Sequence, residues 1–142
     1  MHSLSHCATA VCDVEPTAAF AFLADPSRLG SWALGCWDAK PVVEGVVGGI
    51  SLFDGSMTYV RANGDPDRLA VDFAVGSDRN ELVHRISARV VPAADLGYGE
   101  RSSIVTLLAW RPADMPAERW HRLVASHEAE ILLLQARLEE QA

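Results

Sequence analysis

The stretch from Pro116 to Gln141, PAERWHRLVASHEAEILLLQARLEEQ, has no glycine and no proline after its first position. Most of its residues favour helix. At about 1.5 Å per residue such a helix is about 37 Å long, the width of a small domain. Trp120, Leu123, Val124, Ile131, Leu134 and Leu138 recur at three- and four-residue steps and so share one face. His127 interrupts that apolar stripe. A helix of this length in a chain of 142 residues has to bury its stripe against something broad. The remainder is therefore expected to be a curved sheet built around it.

The rest of the chain supplies the strands. Residues 3–14, SLSHCATAVCDV, read as a first strand stopped by Pro16. PTAAFAFLAD follows as a short helix, with Pro16 in its first turn and Phe20, Leu23 and Ala24 on its buried face. Asp25-Pro26 ends it, and Asp25 caps a second short helix around Arg28 to Leu34. WDAKPVV and GISLF read as strands, with Gly45, Gly48 and Gly49 as punctuation between them. Asp54-Gly55 signals a tight turn into MTYVRA, and Asn63-Gly64-Asp65-Pro66-Asp67 a second turn. RLAVDFAV alternates, with Leu69, Val71, Phe73 and Val75 on one face and Asp72 towards solvent. LVHRISARVV alternates too: His84, Ile86, Ala88 and Val90 on the dry face, Arg85 and Arg89 on the wet one. RSSIVTLLAW is the last strand, and Asp114 is a candidate cap for the long helix. Short connections make this an antiparallel meander. The expected class is α+β: about seven antiparallel strands wrapped around one long C-terminal helix, with two short helices after the first strand and residues 1–142 as one domain.

Composition narrows the function. Twelve basic residues against nineteen acidic ones give a net charge of -7, and the basic residues are scattered. No basic track exists for phosphates, so a nucleic-acid partner is not expected. No apolar run approaches the ~20 residues of a membrane span, and the N-terminus lacks the pattern of a secretory signal. The reading is a cytoplasmic protein with reduced thiols at Cys7, Cys12 and Cys36, Cys7 and Cys12 facing opposite sides of their strand. His2, His6 and His121 have no ligand-like spacing with any Cys or Asp, so neither metal nor cofactor is expected.

The run Pro16 to Asp25-Pro26, followed by Leu29 and Trp32, has the pattern P-x-x-x-F-x-F-L-x-D-P-x-x-L-x-x-W. With an extended strand before it and a closing helix near Pro116, it resembles the helix-grip domain of the START-like (SRPBCC) superfamily, as many bacterial members show it. That superfamily includes polyketide cyclases and aromatases, pollen-allergen-like carriers and lipid-transfer domains. The resemblance implies an apolar cavity between sheet and long helix, with the two short helices closing one end.

The inner faces are rich in small residues, Ala62, Ala88 and Gly49 among them, which leaves room for a void and hence a ligand. Candidate ligand contacts are His84 and His127, with Trp32, Trp120, Phe73, Tyr59 and Leu123. Each histidine alone reads as a core residue satisfied by backbone or by the Tyr59 hydroxyl. Together at one cavity they read as ligand contacts. Of Trp32, Trp37, Trp110 and Trp120, at least two read as ordinary core filling. The leading function is binding of a small hydrophobic molecule, as carrier or sequestering protein. The alternative is a polyketide cyclase/dehydrase-like enzyme with His84 and His127 as acid and base. The crowded Leu132, Leu133 and Leu134 read as buried sheet contact or as the seam of a homodimer.

Overall fold

The computed structural model of the chain describes residues 3–141; His2 lies outside them. Strand β1 (Ser5–Cys12) leads into helices α1 (Pro16–Ala24) and α2 (Pro26–Leu29). Strands β2 (Trp37–Val43), β3 (Val46–Ile50), β4 (Met57–Asp65), β5 (Ala70–Gly76), β6 (Val83–Pro92) and β7 (Ser103–Trp110) follow, then helix α3 (Ala117–Glu139). The seven strands form one antiparallel sheet in the order β1-β7-β6-β5-β4-β3-β2. This is the sheet expected around the long C-terminal helix, in the helix-grip arrangement that the START-like resemblance implies.

Helix α3 lies over β1 and β7, while α1 covers β4, β5 and β6. Ile131, Leu134 and Leu138 join the main core with Cys12, Leu23 and Leu107. At the other end of α3, Trp120 packs with Ala109 and Met115 in a smaller cluster, its indole N–H donating to Ser3 Oγ at 3.2 Å. Side chains also fasten α3 to β1 and the residue after it: Gln135 Nε2 donates to the Val11 carbonyl, and Glu139 accepts from the Asp13 amide. Cys7 is exposed and Cys12 buried, as alternation requires. No helix among the described residues is long and apolar enough to cross a membrane.

Several boundaries differ from the sequence reading. Asp25 does cap α2, accepting from the Ser27 amide at 2.9 Å, but α2 ends at Leu29 and the chain turns through residues 30–36. Gly48 and Gly49 lie inside β3, not between strands. A Cβ on Gly49 would meet the Trp37 carbonyl oxygen at 2.7 Å, so the residue is small because two backbones pass close. Asn63, Gly64 and Asp65 continue β4, and the turn falls after them. The N-cap of α3 is Pro116 and makes no side-chain cap bond, so Asp114 does not cap it. Of the three crowded leucines, Leu132 is 65% exposed, Leu133 is half-buried and Leu134 is fully buried.

Gly30 gives a stability test of how α2 is seated. A Cβ there would overlap the backbone nitrogen of Ala39, and the Gly30 carbonyl accepts from the Asp38 amide at 3.0 Å. Backbone, unlike a side-chain tip, cannot swing away. Gly30→Ala is therefore expected to destabilise by about 1–3 kcal/mol, read as a lower midpoint in thermal unfolding. An unchanged midpoint would mean that α2 shifts freely over β2.

Candidate functional site

A cavity of about 150 Å³ lies between the sheet and α3. Its floor is Val60 of β4, Phe73 and Val75 of β5, Ile86 of β6 and Leu107 of β7. Leu29, Trp32, Ala33 and Cys36, on and after α2, close one side. Phe53, Asp54 and Ser56, in the β3–β4 connection, form a lip, and Arg119, Arg122, Leu123, Ser126, His127 and Glu130 form the helical wall.

Four of the seven candidate side chains line this space: Trp32, Phe73, Leu123 and His127. Three do not. Trp120 fills the smaller cluster described above. Tyr59 is on the outer face of β4, beside Gly48, because Thr58 and Val60 take the inner positions. His84 is also outside, exposed, and accepts from Asn63 Nδ2 at 3.0 Å. The expected pairing of His84 with His127 across one interior is therefore not present.

A β-bulge is the reason. Phe73 pairs with Ile86, but its neighbour Ala74 pairs with His84, so Arg85 is an extra residue in β6. The bulge shifts the alternation by one. His84, expected on the dry face, falls on the outer one, and Arg85, expected to be wet, joins Ile86 in the cavity wall. Arg89, beyond the bulge, is exposed as expected.

Glu130 is the residue that apolar pattern-reading missed. It lies three positions after His127, on the same helical stripe, and is 6% exposed. Its Oε1 accepts from the Leu34 amide at 3.0 Å and from Ser126 Oγ at 3.0 Å, tying the loop after α2 to α3. Burial pushes its pKa up to about 7, against the lowering effect of those hydrogen bonds and of the Gly35 backbone. Burial, helped by the nearby His6 and Arg85, pulls His127 down to about 4. His127 Nε2 and Glu130 Oε2 are 3.9 Å apart. Between pH 4 and 7 neither is predominantly charged, so this is a neutral contact, not an ion pair. The Cys36 thiol is pushed up to about 11 by burial and is unreactive near neutral pH.

Among the described residues four buried polar atoms have no hydrogen-bond partner: His6 Nε2, Trp32 Nε1, Arg85 Nη1 and His127 Nδ1. The last three belong to side chains of the cavity wall. No three His, Cys, Asp or Glu side chains among the described residues group as metal ligands would.

Solved structures share this architecture. The Zhui aromatase/cyclase from Streptomyces sp. R1128 superposes with a TM-score of 0.67 at 13% identity, over 99% of this chain and 96% of that one. A START superfamily protein from Mycobacterium smegmatis does so with a TM-score of 0.64 at 12% identity, over 99% and 100%. The fold is START-like. The protein XoxI from Bacillus cereus has it as well, with a TM-score of 0.72 at 11% identity over 98% of both chains. The sequence matches no family model and shows no significant match to a curated protein. The START-like likeness thus rests on element order and backbone path. What this chain's cavity does has to be argued from its own side chains.

Proposed function

We propose that this START-like chain binds one small, mostly apolar molecule between its sheet and α3, to carry or sequester it. The observation behind the proposal is the cavity wall: Leu29, Trp32, Phe73, Val75, Leu107 and Leu123 enclose about 150 Å³. A space of that size suits a single benzene-sized ring. Trp32 and Phe73, edge to face with centroids 6.2 Å apart, offer aromatic surfaces to such a ring.

A second reading is a cyclase/dehydrase-like enzyme. The observation favouring it is the juxtaposition of Glu130 and His127 in the same wall, one holding its proton up to about neutral pH and the other losing it well below. Such opposed shifts suit a proton donor beside a proton acceptor. In this reading Glu130 takes the place that the sequence offered to His84.

Native mass spectrometry of the purified protein is expected to show a co-purified small molecule, or free protein that takes up toluene. In an NMR titration toluene should shift Trp32, Phe73 and Leu123 and leave Tyr59 and His84 unmoved. Shifts spread over the surface, or none with no co-purified molecule, would overturn the proposal.

A further inference from the structure

We propose that the cavity wall contains an oxyanion subsite, made by Arg85 with Trp32, so that the occupant is a small aromatic ring bearing a carboxylate. This rests on the reading that the cavity binds a ring-sized molecule and adds the chemistry of the ring's substituent.

Arg85 carries the argument. The bulge in β6 turns a guanidinium into an apolar interior that regular alternation would have kept free of it. Arg85 forms no ion pair with any described residue, and its Nη1 has no acceptor. Burial, with the charge of Arg119, lowers its pKa from the usual arginine value. The residue as a whole is half-buried, but its Nη1 is out of reach of solvent; a buried cationic donor without an acceptor is unfavourable and calls for an anion that the protein itself does not provide.

The local charge balance supports this. The whole chain has 12 basic and 19 acidic residues, yet the cavity wall holds three arginines, Arg85, Arg119 and Arg122, against two carboxyl groups, Asp54 and Glu130. Neither carboxyl is free to serve Arg85. Asp54 lies at the lip and accepts from the Ser56 amide and hydroxyl. Glu130 is engaged by Leu34 and Ser126 and keeps its proton until about neutral pH.

Trp32 supplies a second donor. Its Nε1–H is buried and unpartnered. Its ring packs on Phe73, whose partner across the sheet is Ile86, the residue after Arg85. Two unsatisfied donors therefore line the same cavity, and ionised carboxylates accept strongly from both types. His127, neutral at pH 6 and within the field of Arg85, is a third group that a bound anion would sense.

The test uses three probes of similar shape at pH 6: benzoate, benzamide and toluene, each titrated by calorimetry and NMR. Wild-type protein is expected to bind benzoate at least tenfold more tightly than benzamide. Arg85→Met should lose that preference and still bind toluene. Trp32→Phe, which keeps an aromatic face but not the N–H, should weaken benzoate several-fold more than it weakens toluene. Benzoate should also raise the pKa of His127, because it offsets the charge of Arg85. Equal binding of benzoate and benzamide, with toluene bound, would overturn the subsite and leave the cavity reading standing. Failure of all three probes would overturn both. If Arg85→Met does not fold, Trp32→Phe and the His127 titration decide: a loss of benzoate no greater than that of toluene, with no shift of His127, would overturn the subsite.

Discussion

Replacing Leu134 by alanine is expected to lower the unfolding free energy by about 2–5 kcal/mol and the melting temperature by about 7–17 °C. Leu134 is 0% exposed and sits where α3 meets the main core. The helix has no side-chain N-cap bond, so it is held by burial and not by its own ends. Removing three carbons there loses their transfer from water and leaves a hole that the sheet cannot collapse to fill. Leu132, two positions away and 65% exposed, is the control. Its change to alanine should stay within about 0.5 kcal/mol. Chemical denaturation of both variants measures the contrast, and equal losses would mean that α3 is not seated as described.

Glu130→Gln is expected to stabilise the protein in a pH-dependent way. In the folded state Glu130 titrates at about 7, against 4.5 when unperturbed. Between those values the folded chain holds a proton that the unfolded chain has released, so stability falls as pH rises from 4.5 through 7. The full difference is about 3 kcal/mol at pH 8 and vanishes below pH 4.5. Glutamine resembles the protonated acid and can accept the same bonds from Leu34 and Ser126, so it escapes the fall. His127 works in the opposite sense. Its pKa is lowered from 6.5 to about 4, so its contribution to stability is lost as pH falls from 6.5 through 4. In the native protein the two slopes oppose each other between pH 4.5 and 6.5. In the variant only the histidine slope remains, and stability should rise over that range and then level off. Denaturant midpoints from pH 4 to 8 report this. Parallel profiles for the two proteins would show that Glu130 does not titrate as a buried acid.

How much of this was legible in the sequence differed from element to element. The long helix was readable because its stripe persists over six turns and nothing in it breaks helix. The first helix was readable because proline both starts it and follows it. Strand β5 was readable because Val71, Phe73 and Val75 alternate with no interruption. Strand β3 was not, because glycines usually mark turns, and here Gly49 marks close contact with the backbone of Cys36 and Trp37 and Gly48 a place crowded by the Val42 and Tyr59 side chains. The cavity histidine on α3 was legible as a break in an apolar stripe. Glu130 occupied the next position of that stripe and was passed over, since a search for apolar period discards charged members. His84 and Arg85 exchanged faces because period-two reading assumes one residue per step, and a bulge has no reliable sequence mark. Trp120 shows another limit: spacing predicted that it is buried, but burial in a core and burial at a cavity have the same period.

The bulge in β6 also bears on how such a site can arise. On either side of Arg85 the register is intact, His84 opposite Ala74 and Ile86 opposite Phe73. Removing that one codon would join two already matched halves into a regular strand. The sheet would keep its partners and the cavity would lose its one strand-borne charge. Chain length at a single point, not substitution among the lining residues, would then separate a purely oily pocket from one that selects an acid. Insertions and deletions of one residue, usually counted as damage to a sheet, would here change the ligand and leave the architecture alone.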